Sequence, residues 1–486
     1  MSPLLVLSTI VLYFFVLFFV SYITGKKADN QGFFVGNRKS SWYVVAFAMI
    51  GSSISGVTFV SVPGMVVTSN FAYLQMILGF FVGQLIIAFI LIPMFYRMNV
   101  VSIYEYLEER FGLYSHRTGA WFFFISKMLG AAVRLYLVCV VFQLLIFEPW
   151  GLPFWMNVTS SILLVWLYTY KGGVKTLIWT DSLKTFCLIL SVVLCIYFIK
   201  DDLNLTVSGM FTSIIDNDMS RIFFFDDVNS RSYFFKQFLA GIFTMIAMTG
   251  LDQDMMQRNL SCKNFKDAQK NIITSAAMLI LVVTLFLMLG VLLYLYAAAH
   301  GIAIPEKTDE LFPLIANESG LPAIVGILFV LGLVAAAYSA AGSALTSLTT
   351  SYTVDVLQAT KKKTELQVTH LRKNVHVGMS IVMGFTVYLF YLFNNTSVID
   401  AVYVLASYTY GPILGLFVFG LACKKSVYDR FIPLVAVLSP VLCYVLQTHS
   451  EEWFNGYKFS YELLIFNAAF TVLGCILLIK PGKKIK

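Results

Sequence analysis

The sequence predicts an all-α integral membrane protein of about thirteen transmembrane helices, and three observations carry the prediction. Of the 486 residues, 59% are hydrophobic and only 12% charged, whereas a soluble globular chain carries roughly 25% charged residues. Apolar runs of about 20 residues, enough to span the hydrocarbon core of a bilayer, recur along the whole chain. Lysine and arginine gather in alternate connections between the runs, which is the pattern that sets orientation in multi-span proteins.

The first run, residues 4–23, lacks a basic leader and a small-residue cleavage site, so it reads as a retained helix over 3–25. The second, 42–69, contains MIGSSISGVTFVSVPG at residues 49–64, where glycine, serine, threonine and a proline crowd into one span. An unpaired backbone carbonyl in lipid costs several kcal/mol, so a helix broken at membrane depth survives only where it lines a cavity or binds something. Further spans are expected at 72–97, 118–147, 153–170, 179–199, 231–252, 268–298, 322–356, 373–393, 398–422, 428–446 and 458–480.

Basic connections follow the odd-numbered spans. They hold Lys26, Lys27, Arg38 and Lys39, then Arg97, Arg110 and Arg117, then Lys171 and Lys175, and continue through Arg258, Lys361 and Lys424 to the C-terminal lysines. The N-terminus is therefore expected outside and the C-terminus in the cytoplasm. The stretch 200–230 is acidic, external and expected to be non-helical. It separates five spans over 42–199 from five over 231–422. An odd number of spans per group puts the two groups in opposite orientations, as in inverted-repeat transporters. One helix precedes this core and two follow it, over 428–480.

The net charge of +8 is accounted for by these connections and implies no nucleic-acid partner. The seven cysteines are scattered, form no CxxC pair, and the five histidines show no HExxH spacing, so metalloenzyme chemistry is not expected.

Ionisable groups within a span are functional candidates by default. Arg134 lies near the middle of the fourth span beside Gly130, Ala131 and Ala132. Its planar guanidinium suits a substrate carboxylate, or it forms a structural pair with a carboxylate such as Asp181. Lys127, nearer the cytoplasmic end, is expected to snorkel. Asp181 and Lys184 sit one turn apart and either pair with each other or belong to a cation pathway. In the ninth span Ser339, Ser343, Thr346, Ser347, Thr349, Thr350 and Ser351 give a hydroxyl-rich face. Close helix packing accounts for such a face. So does a hard-cation site that adds hydroxyls to the unwound carbonyls of the second span.

The broken second span, YKGGVKTLIWTD, DQDMMQRNLSCKNFKDAQK and SALTSLTTSYTVD, in that order, resemble the sodium/solute symporter family. The resemblance covers nearly the whole chain and implies a LeuT-type five-plus-five inverted-repeat core working by alternating access on a sodium gradient. Within the family the chain most resembles bacterial sialic acid transporters. That likeness implies substrate contacts at Ser55, Thr58, Tyr73, Arg134 and Phe243, with Arg134 on the sugar acid's carboxylate. A glutamine contact of those relatives falls on Ile77 and is lost. The family's main sodium site maps to backbone oxygens of Gly51, Ile54 and Ala336 and to the hydroxyl of Ser339, while its second hydroxyl is replaced by Ala340. The second sodium site of the sialic acid relatives maps to Asp181, Gly342 and Ser343. Lys184 stands where the family commonly has glutamine, so it either fills that cation position or makes coupling proton-dependent.

The expected function is sodium-coupled import of an organic anion, a sialic acid or related sugar acid, across the plasma membrane. The expected partners are the bilayer, Na⁺ and a small molecule, with no protein partner and no enzymatic activity. A neutral sugar, an amino acid or a short carboxylate with altered coupling is the alternative within the family. A membrane sensor is the alternative outside it; only KPGKKIK follows the last span, which leaves no expected cytosolic domain.

Overall fold

The computed structural model describes residues 3–25, 30–54, 56–170, 173–306, 308–318, 320–393, 398–457, 459 and 461–484. Ser55 therefore lies outside the described residues. Apart from a two-stranded antiparallel ribbon that joins Lys425–Val427 to Ile479–Lys484, the regular structure is helical. Fifteen helices carry the architecture: α1 Pro3–Gly25, α2 Trp42–Ser53, α3 Gly56–Gly64, α4 Tyr73–Ile86, α5 Leu113–Phe142, α6 Phe154–Thr169, α7 Gly173–Asp202, α8 Phe234–Met245, α9 Gln253–Leu260, α10 Phe265–Ala299, α11 Ala323–Ser351, α12 Glu365–Phe393, α13 Val398–Ala422, α14 Ile432–Thr448 and α15 Leu463–Leu477.

Among the described residues nine helical segments are long and apolar enough to cross a membrane, or eleven when each of two bent pairs counts as one span. The shorter apolar helices α6 and α15 lie where the sequence places its fifth and last spans. α11 is largely enclosed, with 67% of its apolar window buried, whereas α14 has 22% buried and presents the rest outward. A helix apolar all round belongs in a core or in lipid, and these two are the two cases.

The bent pairs organise the molecule. α2 and α3 meet at 60°. Ile54, which follows α2, is extended at φ −90°, ψ 106°, although its N–H still bonds the Ile50 carbonyl at 3.0 Å. At the far end of α3 the Gly64 carbonyl, beyond Pro63, accepts a hydrogen bond of 2.7 Å from the Tyr294 hydroxyl on α10. That bond satisfies a helix-end group which lipid would leave stranded. α8 runs through a π-turn at Ile246–Gly250 and then bends by 67° into α9. Asp252 is extended at the corner and its side chain caps α9 by accepting from the Met255 N–H at 3.0 Å. Each bent pair stands first in its group of five spans.

This second break corrects the sequence reading, which ends a single helix at 252 and leaves Arg258 in a connection. The 200–230 stretch also differs, since a nine-residue helix, Val207–Ile215, forms within it, capped by Thr206. Threonine at an N-cap satisfies a free helix amide, and the mixed polarity of this segment hid the helix.

Glycines set the closest helix crossings. A Cβ on Gly241 of α8 would lie 2.3 Å from the Met76 carbonyl of α4, and one on Gly79 would lie 2.2 Å from the Phe238 carbonyl. On Gly51 of α2 it would lie 2.1 Å from the Thr185 hydroxyl of α7. Backbones this close require the small residues that membrane helix interfaces favour.

Candidate functional site

α5, α7, α11 and the two breaks converge on one cavity of about 800 Å³, within the range of small-molecule sites. Thr58 and Ser61 of α3, Tyr73 of α4, Arg134 of α5, Lys184 of α7 and Ser339 of α11 all line it. Arg231, Ser232 and Gln237 line the end nearest the connection that precedes α8.

The floor is a buried chain of charges. The Asp181 carboxylate of α7 accepts through Oδ2 from Arg258 Nε at 2.9 Å and from the Ser52 hydroxyl at 3.1 Å, with Arg258 Nη2 in ion-pair contact at 2.9 Å. Its other oxygen accepts from the Ser339 hydroxyl. Arg258 also donates to Asp254 at 2.7 Å through Nη1. Asp254 takes Lys127 Nζ at 2.6 Å and the Ser343 hydroxyl at 3.0 Å. Lys127 reaches on to Asp252 at 3.2 Å, where the Tyr410 hydroxyl of α13 also donates. The network thus ties α2, α5, α7, α9, α11 and α13 together. Buried charges persist only when paired and hydrogen-bonded, and every carboxylate here is.

Three expectations are corrected by this geometry. Lys127 does not snorkel, being only 8% exposed and held between two aspartates. Asp181 pairs with Arg258 and not with Lys184, for the guanidinium from α9 takes Oδ2 while the Ser339 hydroxyl takes Oδ1. Arg258 is 1% exposed, so it contributes nothing to the basic surface of the connections.

Arg134 differs from all of these. Seven residues beyond Lys127, it lies about 10 Å further along α5 at 1.5 Å per residue and shares its cavity face. Its Nε is buried without a partner, and among the described residues no carboxylate, carbonyl or hydroxyl bonds the guanidinium. The alternative of a structural pair with Asp181 is not realised, for that carboxylate is held by Arg258.

The remaining residues divide. Phe243 packs against the apolar core and does not line the cavity, whereas its neighbour Thr244 does. Gln75, two residues from the buried Ile77, is committed to the Ser232 carbonyl at 2.9 Å. The α2–α3 break lies against α11, where a Cβ on Gly56 would contact the Ala336 Cβ at 3.4 Å. Gly51, Ile54 and Ala336 are all buried beside it. The hydroxyl-rich face of α11 splits in two. Thr346, Ser347 and Thr350 bond their own helix, while Ser339 and Ser343 turn to the aspartates. At Gly342 a Cβ would overlap the Tyr168 hydroxyl, so tight packing with α6 holds that position.

Lys127, Asp252, Asp254, Arg258 and Tyr410 escaped the sequence reading as site residues. The signal was available in DQDMMQR, where acidic groups flank a short helix directly after an apolar run. Partners so distant in sequence left the pairing unreadable.

The comparisons agree with this architecture. The sodium:solute symporter family matches residues 33–428. The sodium/sialic acid symporter NanT of Aliivibrio fischeri is 24% identical over 90% of this chain and 86% of its own length. SiaT, the sodium/sialic acid symporter of Proteus mirabilis, is 24% identical over 86% of this chain and 85% of its own. The human sodium/iodide cotransporter is 24% identical over 83% of this chain, which spans 62% of that protein. Among solved structures, a substrate-bound, outward-open Na⁺-coupled sialic acid symporter superposes with TM-score 0.83 at 20% identity, covering 99% of both chains. Mhp1, a nucleobase-cation-symport-1 family transporter, superposes at 0.56 with 12% identity over 93% of this chain and 94% of its own. These likenesses give the LeuT-type fold. The protein is a multi-span membrane transporter, not an enzyme, and it belongs to the sodium:solute symporter family.

Proposed function

We propose that this protein couples the entry of sodium to uptake of a sugar acid of the sialic acid class, with the substrate carboxylate on Arg134. The observation that carries the reading is the Arg134 guanidinium, which faces an 800 Å³ cavity with no bonding partner among the described residues. A carboxylate would complete it bidentately. Thr58 and Tyr73, on the cavity wall, would contact the rest of the sugar together with Ser55, and the names of two bacterial relatives supply the substrate class. Phe243 would act by packing behind this wall.

We place the sodium at the α2–α3 break, on carbonyls of Gly51, Ile54 and Ala336 and the Ser339 hydroxyl. Helix-end carbonyls there lack the donors of a continuous helix. The second cation position is taken by Arg258, whose guanidinium already occupies Asp181 and Asp254. One sodium per cycle follows. The inverted repeats are 42–199 and 231–422, and the basic connections lie in the cytoplasm, so the cavity end beside Arg231 faces outward from the plasma membrane. Purified protein in proteoliposomes should accumulate radiolabelled N-acetylneuraminate under an inward sodium gradient and stop when choline replaces sodium. Undiminished uptake in choline rejects sodium coupling, and accumulation only of neutral sugars or amino acids rejects the sugar acid.

A further inference from the structure

We infer that Lys184 is a second anion-binding residue, and that the preferred substrate carries two acidic groups, one on Arg134 and one on Lys184. The inference rests on the proposed sugar-acid reading and narrows it to dianions.

Lys184 is 2% exposed, yet it lines the same cavity as Arg134. Among the described residues its ammonium makes no hydrogen bond or ion pair within bonding distance. Asp181, one turn away, is the partner that spacing offers it, but that carboxylate is already filled by Arg258, Ser52 and Ser339. Asp254 is likewise filled by Arg258, Lys127 and Ser343. A lysine standing in for a sodium ion would sit among those oxygens. This one stands apart from them and faces the ligand space. An enclosed, uncompensated ammonium is costly, and an anion entering the cavity removes that cost.

The charge balance favours a dianion. In the enclosed part of the cavity, Asp181, Asp252 and Asp254 face Lys127, Arg134, Lys184 and Arg258, a surplus of one positive charge; Arg231, a further cation on the lining, is exposed and screened by solvent. A sodium ion at the α2–α3 break raises the surplus to two, and a dianion cancels it. A monoanion leaves a buried charge unmatched.

The test compares matched mono- and dianions, N-acetylneuraminate with its sulfate monoester and gluconate with glucarate, by thermal shift and by competition against labelled substrate in sodium. In the wild type each bound dianion should outcompete its monoanion about tenfold or more, the scale of one desolvated charge-assisted bond. Lys184→Gln should bring each pair within about threefold, read as the ratio within each pair and so independent of the variant's absolute uptake rate. Equal competition in the wild type overturns the proposal. So does a K184Q protein that keeps the dianion preference, or one that changes only its sodium dependence. If K184Q does not insert, the wild-type ranking alone decides. Wild-type binding of N-acetylneuraminate without a dianion preference sinks this inference but not the proposed function. A dianion preference lost in K184Q and untouched in Arg134→Ala sinks the carboxylate site on Arg134 and leaves Lys184 standing. Failure of all four compounds to bind overturns both.

Discussion

Arg134 and Arg258 carry the same charge in the same cavity wall, but their surroundings assign them opposite tasks. Arg258 donates to Asp181 and Asp254 and is spent on the fold. Arg134 has no bonding partner among the described residues and, on the proposed function, is kept for a ligand. Arg134→Ala should abolish uptake of carboxylate substrates while the protein inserts with an unchanged thermal midpoint, since no internal bond is lost. Arg134→Lys keeps the charge but not the planar fork, so apparent affinity should fall about tenfold, the equivalent of about 1.4 kcal/mol. Uptake by R134A equal to the wild type would remove the carboxylate assignment. Arg258→Met should behave in the reverse order. It leaves two aspartates buried without their shared partner, a change that costs about 3–5 kcal/mol. Its signature is a lower midpoint in detergent without ligand, and an unshifted midpoint would show that the pair adds nothing to stability.

At the scale of elements, the α2–α3 break depends on how closely α2 approaches α7. Gly51 permits that approach, for a Cβ there would lie 2.1 Å from Thr185 Oγ1 and 3.0 Å from the Asp181 carbonyl. Gly51→Ala should therefore displace α2 and raise the sodium concentration needed for half-maximal uptake. Thr185→Ala removes the nearest clashing atom, so the double variant should recover part of that loss. A G51A protein with wild-type sodium affinity would separate this contact from the ion site. The first break was legible in the sequence because glycine, serine, threonine and Pro63 interrupt an apolar run within one window. Arg134 was legible because a charge in mid-span has no bland neighbour to hide it. The second break was not, since Ile246–Gly250 reads as ordinary helix and α9 reads as a polar connection. Its turn is made by tertiary pairing, with Asp252 bound to Lys127 and Tyr410 and with Arg258 bound to Asp181 across 77 residues of sequence. Local periodicity carries no trace of such partners. Phe243 sits behind the wall for a related reason, because one helical step decides whether a side chain faces the cavity or the core, and Thr244 takes the cavity side.

For the molecule as a whole, alternating access requires the two groups of five spans to rock against each other, and the floor network is what they share. Asp181 and Lys127 come from the first group, whereas Arg258, Asp254 and Ser339 come from the second. Arg231 precedes α8 whereas Asp252 follows its π-turn, so the network lies at the other end of that helix from Arg231; on the proposed orientation an inward-facing state has to part these pairs. Weakening the network while leaving the outer wall intact should then shift the population toward that state, because an equilibrium moves by the difference an alteration makes between its two ends. Gln237 lies on the cavity wall with Arg231 and among the described residues bonds the Arg231 carbonyl at 2.7 Å, so on the proposed orientation a cysteine there is a reporter of outward opening. The native cysteines among the described residues are buried, apart from the half-buried Cys423, which gives a low labelling background. Gln237→Cys should react with a membrane-impermeant maleimide from outside. Adding Lys127→Met, which frees Asp252 and Asp254 from their ammonium, should slow that reaction several-fold at equal surface expression. One kcal/mol of relative destabilisation corresponds to about a fivefold change in population. An unchanged labelling rate in the double variant would mean that the network holds the fold together without gating it.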